Sequence, residues 1–517
     1  MHHHGGDTLG TVNFPVSCMP ANQAEFNRAM TLLHHMTYPQ AREIFRQNVA
    51  ADSTCAMAYW GIAMTLFQPL WPTRPGPQEL QRGWDAVQKA KSLGPVAERE
   101  HLLIAAADAF FQEPKSTDYW KRIRGWKEGM EKTYASFPED QEVAAFYALA
   151  LLATVPPDQV SSTNNDQAAE ILLRILKKNP GHPGAMHYLI HANDAPGREH
   201  ESLEILRQYE AIAPHNPHAL HMPTHIYTRL GDWQKVIRGN IKAADAALEF
   251  PAGDHGQYIW DEFPHAIEYM IYAYLQTGED DEAAKQLKRL QGTANLEPTF
   301  KTAFHLASTR ARYALERKAW GEASSIVPRE PGTIDWGRFP WPEAISWFAL
   351  GLGSLHTGNS DEARRSQSRL QELEAATAKA GEVLFSRHIR VLRLELASLI
   401  ACTEGKLDSG LALMNQAAEL EVSTPKHAVT PAPTLPAYEL LGDLLLDQGK
   451  ASDAGNAYRR SLQLNPQRFN SLLGAARASR ATGDSKSADG FYRQLLDMAS
   501  PESNREALEE ARGFLHK

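Results

Sequence analysis

The chain concentrates imidazoles in one region. NPGHPGAMHYLIHAND carries His187 and His191, and PHNPHALHMPTHIYTRLGDW carries His221 and His225. Residues four apart share one helix face. Neutral imidazole is the commonest ligand for zinc, copper and iron, and this spacing lets two rings reach one ion. His187 and His221 lie 34 residues apart, as do His191 and His225, Pro180 and Pro214, and Pro183 and Pro217. The two pairs therefore take equivalent places on the first helices of adjacent repeats. Helices pack about 8–10 Å apart, so four imidazoles can converge on one pocket.

A third helix, WDEFPHAIEYMIYAYLQTGED, aligns through its closing glycine. Gly231 and Gly278 are 47 residues apart, an insertion of about 13 over the repeat period. On that alignment Glu268 replaces His187 and His221, and Tyr272 replaces His191 and His225. His265 lies one turn before Glu268 on the same face, and Asp194 adds a carboxylate three residues after His191. The expected ligands are His187, His191, His221, His225, His265 and Glu268. Five histidines with carboxylates exceed one closed zinc site. They suit two ions, or one ion with orienting neighbours. Glu268, Asp194 and Tyr272 are the candidate catalytic residues, and an uncoordinated Glu268 or Asp194 could act as general base.

The plainer alternative is duplication. A lone HxxxH is usually surface or satisfied core, and one copied repeat carries its histidines along without function. His182 and His218 precede the helices and read as caps or entrance residues. His305 reads as a packed helical residue. Pro223 either kinks its helix or marks a late helix start.

Repeats must position these side chains. Near the C-terminus YELLGDLLLDQGKASDAGNAYRRSLQLNP is followed by LLGAARASRATGDSKSADGFYRQLLDMASP. Gly449 and Gly483, Ala454 and Ala488, and Tyr458 and Tyr492 are each 34 residues apart, the tetratricopeptide (TPR) period. Weaker copies occur upstream, and strand-like alternation is scarce. The reading is all-α, a TPR-like helical-hairpin solenoid from about residue 20, whose first helices line a concave groove. The expected divisions are a flexible segment or tag over 1–10, a His-bearing array over 11–325, further repeats over 326–420, a Pro-rich linker or lid over 421–436, and regular repeats over 437–517. The stretches 68–79 and 326–342 read as irregular.

Composition narrows the function classes. The 517 residues are 43% hydrophobic and 22% charged, enough for a large core. A net charge of −9 argues against a general nucleic-acid binder. No run is long and apolar enough for a membrane span. Cys18, Cys55 and Cys402 form no CxxC; Cys18 and Cys55 either pair in an oxidising compartment or are two buried small residues. No GxxxxGK[ST] loop or GxSxG elbow occurs, so nucleotide hydrolysis and serine-esterase chemistry are poorly supported.

The motifs LGTVNFPVSC, CAMAYWGIAM, HPGAMHYLIHAND, HALHMPTHIYTRLGDW and PHAIEY together resemble a large group of bacterial TPR-containing proteins with paired HxxxH motifs. The likeness covers roughly residues 9–280. It implies a periplasmic or secreted location. Relatives of this kind carry a second histidine where Glu268 stands and Glu where Asp194 stands. Three paired-His helices are similar to coupled dicopper sites on unrelated folds. Glu268 departs from that pattern and brings iron, manganese or zinc into reach.

The expectation is a metal-dependent enzyme holding one or two divalent transition-metal ions, copper favoured over iron or zinc. It would perform oxygen-using redox chemistry on a small molecule. The alternatives are a metal-dependent hydrolase at the same site, an interaction scaffold holding a peptide or protein in the groove, or a metal-binding protein without catalysis.

Overall fold

The computed structural model describes residues 9–71, 74–94, 97–116, 118–155, 159, 163–253 and 255–516. The expected flexible segment over 1–10 falls outside them except for Leu9 and Gly10. The Leu9 carbonyl accepts a hydrogen bond from His35 Nε2 at 2.9 Å, so the chain is already anchored there. Two compact units emerge. The first takes in the described residues of Met1–Pro156, Ser161–Ile226 and Asp245–Trp260; the second takes in Tyr227–Ala244 and most of Asp261–Lys517.

The first unit is built from helical hairpins. Gln23–His34 packs on Tyr38–Ala51, Ala56–Phe67 on Pro77–Leu93, and Gln141–Ala153 on Thr163–Lys178. Small residues set how closely these pairs approach. A Cβ at Gly61 would sit 2.5 Å from the Phe45 ring, and one at Gly83 would sit 2.0 Å from Phe111. Buried aromatics fill the spaces between, as where Phe14 stacks on Trp60 with centroids 5.7 Å apart. Cys18 and Cys55 form a disulfide, tying the entering chain to the start of Ala56–Phe67. The insertion foreseen before the third motif forms a small antiparallel pair, with Pro251 opposite Ile259.

The second unit continues the pattern with long helices, among them Glu262–Thr277, Phe300–Leu315, Pro340–His356 and Val383–Thr403. The C-terminal repeats are the most regular. Ala437–Asp447 pairs with Ala451–Leu464, and Phe469–Ala481 with Ser485–Met498. Gly449 and Gly483 follow the first helix of each hairpin with φ of 73° and 79°, the left-handed cap that only glycine adopts cheaply. The fold class is thus all-α, of the TPR-like helical-hairpin solenoid type. Among the described residues no helix is long and apolar enough to cross a membrane.

The Pro-rich stretch over 421–436 is partly helix and otherwise packed. Leu407–Val422 takes its first two residues. Beyond them, Tyr269 donates to the carbonyls of Ala428 and Thr430, each at 3.2 Å. Arg312 donates to Pro433, Thr430 and Ala432. A buried guanidinium needs that many acceptors, and the irregular backbone supplies them.

Two carboxyls in this unit have raised pKa values, Glu395 fully buried and Glu421 half-buried. Neither oxygen of Glu395 meets a hydrogen-bond partner among the described residues. Burial, with the charge of Glu421, pushes its pKa well up. Burial likewise raises Glu421 to about 8, against a stabilising hydrogen bond from the Ala437 N–H. Such groups keep their protons in the fold and lose them in the unfolded chain above the ordinary carboxyl range. Their contribution is therefore complete below about pH 4.5 and is withdrawn as pH rises, for Glu421 through about 8. The melting temperature is expected to fall over that window, and Glu395→Gln is expected to flatten the fall. Equal slopes in both proteins would overturn this reading.

Candidate metal centre

The first unit gathers His187, His191, His218, His221 and His225 with Asp194. His187 and His191 sit on the helix Pro183–Asn193, their ring centroids 5.0 Å apart. Proline at the first position and His182 as cap start that helix; the His182 Nδ1 accepts from the Ala185 N–H at 3.2 Å. The equivalent repeat begins the same way, Asn216 capping Pro217–His221. There Pro223 interrupts it, and a second helix runs Pro223–Leu230. His221 and His225 thus lie on two helical pieces. Their Nε2 atoms still face each other at 2.9 Å.

His218 was expected to act as a cap or entrance residue. The structure instead turns its Nε2 to the Nε2 of His187 at 3.0 Å. One ring nitrogen from each of His187, His191 and His218 lies within 4.8 Å of the others. Its counterpart one repeat earlier is Gly184, where a Cβ would stand 2.3 Å from His34 Nδ1. The duplication is therefore broken at this position, and His218 is an addition that repeat alignment could not flag.

Hydrogen bonds decide which nitrogen carries the proton. His187 Nδ1 lies 2.6 Å from the carbonyl oxygen of His34, which can only accept. The proton is on Nδ1, and the lone pair is on Nε2. Asp194 Oδ2 does the same for His225 Nδ1 at 3.0 Å. A carboxylate or carbonyl behind the ring is the usual arrangement behind a metal-bound histidine. Burial, with the neighbouring His218 and His191, holds His187 well below the ordinary histidine pKa, so it is neutral and able to ligate at physiological pH. Asp194 is thereby an orienting carboxylate.

A second buried cluster, His34, Glu142 and His182, has comparable spacing but different proton bookkeeping. His182 Nδ1 already accepts from a backbone N–H, so its proton is on Nε2, 3.3 Å from Glu142 Oε1. His34 Nε2 lies 2.7 Å from Glu142 Oε2, and its Nδ1 lies 3.0 Å from the Tyr188 hydroxyl. Burial keeps Tyr188 protonated. Burial alone would also raise Glu142, but the two histidines outweigh it and keep the carboxylate ionised. His34, Glu142 and the Tyr188 hydroxyl pair with one another without an ion, and the His182 Nε2 lies beside Glu142 at 3.3 Å without closing a hydrogen bond. The triad clamps the helix that bears His187 onto the helix Gln23–His34. Nothing in the repeat pattern pointed to His34 or Glu142, because they come from other hairpins.

The remaining expected residues belong to the second unit. Glu268, aligned by register with the ligand histidines, accepts from His305, from Ser308 at 2.6 Å and from Arg312 Nε at 2.9 Å. Burial would raise its pKa, and these donors, His305 foremost, hold it low. Its lone pairs are committed to donors from one neighbouring helix, which leaves it ill placed as a ligand or general base. His265 Nδ1 lies 2.9 Å from His305 Nε2. Tyr272 is buried, its hydroxyl accepting from Arg468 at 3.3 Å. Burial raises its pKa, although Arg468 and Arg312 oppose the rise. That environment keeps the phenol protonated and spends it on a structural contact. His305, read from sequence as a packing residue, is the hub of this cluster.

Fold and site together define a TPR-type helical repeat protein with a buried, histidine-rich centre. The tetratricopeptide repeat family matches residues 439–503. No curated protein matches the chain. Among solved structures, a human IFIT1 dimer with m7Gppp-AAAA is similar at 13% identity and a TM-score of 0.39, covering 86% of this chain and 90% of that one. The APC/C hetero-tetramer Cut9-Hcn1 is similar at 12% identity and a TM-score of 0.33, covering 96% of this chain and 89% of that one. Likenesses this distant carry no argument about ligand or partner, and the expectation that the chain binds no nucleic acid gains nothing from them.

Proposed function

We propose that this protein binds one or two divalent transition-metal ions through the histidines of its first unit and uses them in redox chemistry on a small molecule. The observation that carries the reading is the pairing of His187 with His218, nitrogen to nitrogen, while the far nitrogen of His187 is held by a carbonyl. His187, His191 and His218 would hold one ion. His221 and His225, with Asp194 behind His225, would contribute to a second.

Donor type supports copper: the facing pairs offer imidazole nitrogens, and nitrogen-rich ligation suits copper(II). Copper or iron would supply electron exchange with dioxygen, whereas zinc would supply an acidified water. The protein's own part is to hold the imidazoles neutral, oriented and away from bulk water. The Cys18–Cys55 disulfide supports an oxidising compartment.

Elemental analysis of protein purified without added metal tests the reading. One or two equivalents of copper or iron, with a matching absorption spectrum, are expected. Absence of metal, and no uptake of copper(II) under competition with a chelator, would leave the repeats as an interaction scaffold.

A further inference from the structure

Within the second unit a file of side chains ends on His265. Arg312, fully buried, places three of its donors on the carbonyls of Pro433 and Ala432 and on the Thr430 hydroxyl. Its Nε donates to Glu268 Oε1 at 2.9 Å and to the Ser308 hydroxyl at 3.2 Å, and that hydroxyl donates to the same Glu268 oxygen at 2.6 Å. The other oxygen of Glu268 takes His305 Nδ1. A carboxylate held by a guanidinium is ionised and can only accept, so the His305 proton is on Nδ1. Its Nε2 must then accept, and the donor is His265 Nδ1 at 2.9 Å. The His265 lone pair is consequently on Nε2.

We propose that His305 is a positioning residue, set by Glu268 and Arg312, which fixes the proton of His265 on Nδ1 and so holds the His265 lone pair on Nε2, the form in which an imidazole can ligate a metal ion. Glu268 acts two rings behind the ligand atom instead of being a ligand itself. The proposal rests on the metal-binding reading above, and it extends the logic by which Asp194 orients His225 directly.

The isosteric change Glu268→Gln tests it. Ser308 and Arg312 both donate, so the new amide must turn its oxygen to them and its N–H to His305. His305 Nδ1 then accepts, its proton moves to Nε2, and His265 receives it at Nδ1. The His265 proton is driven to Nε2, where it blocks ligation. Nitrogen-15 spectra of histidine-labelled, metal-free protein are expected to show His265 as the Nδ1–H tautomer in the wild type and as Nε2–H in Glu268→Gln. His305→Gln keeps an acceptor for His265 and a donor for Glu268, and is expected to retain the wild-type tautomer; His305→Leu is not.

An unchanged His265 tautomer in Glu268→Gln, or the wild-type tautomer retained in His305→Leu, would overturn the proposal. A wild type that binds no copper would sink the metal-binding reading instead, and the tautomer spectra would still decide whether the relay operates.

Discussion

His187→Ala is expected to lose at least about 100-fold in copper(II) affinity, since removing even an orienting partner costs about 10–100-fold. His182→Asn is expected to keep wild-type affinity. Both residues are fully buried histidines, His182 capping the helix that carries His187, and each belongs to a cluster of comparable nitrogen spacing. Proton placement separates them. His187 offers Nε2 because a carbonyl occupies Nδ1. His182 spends its Nδ1 lone pair on the Ala185 N–H and its Nε2 proton on Glu142. Asparagine caps a helix as well as that ring does, so the second variant should fold. Titration with copper(II) against a competing chelator measures both. If His182→Asn lost as much affinity as His187→Ala, the clamp would have to be regarded as part of a metal site.

Arg468→Met is expected to destabilise the second unit by at least about 3–5 kcal/mol. The guanidinium is fully buried and ligated on both sides: Glu316 takes Nη1 and Nη2 at 2.8 Å each, and Glu439 takes Nε at 2.9 Å and Nη2 at 2.8 Å. Burial would raise the Glu439 carboxyl, and Arg468 holds it down. Without that charge two carboxylates must be protonated or remain unpaired in the interior. Combining Arg468→Met with Glu316→Gln and Glu439→Gln is expected to recover most of the loss, because neutral groups carry no such desolvation cost. Denaturant melts followed by circular dichroism read the effect. A single-variant cost below about 1 kcal/mol, the range of an exposed ion pair, would show that the site is far wetter than its burial indicates.

The repeat architecture was legible from spacing. Gly449 and Gly483 repeat because each hairpin needs a left-handed turn at the same place. Gly442 and Gly474 are 32 residues apart and so out of step with that period; both lie against one ring, Tyr458, where a Cβ would sit 2.7 and 2.3 Å away. Four of the five histidines of the centre were legible for the same reason as Gly449 and Gly483: His187 and His191 occupy one helix, and their copies His221 and His225 follow 34 residues later. His218 was hidden because its repeat counterpart is glycine. Glu268 was misplaced as a ligand because register reports a position on one helix and not the donors on the next.

The order of residues along the chain by itself determined the helical period, the caps and the presence of imidazoles at matching turns, since these depend on neighbours within a few residues. Only the tertiary structure decided which nitrogen of each ring holds a proton. That choice belongs to the carbonyl, carboxylate, hydroxyl or second imidazole lying behind the ring. For His187, His265 and His305 that partner arrives from a different helix, at a separation no local pattern encodes.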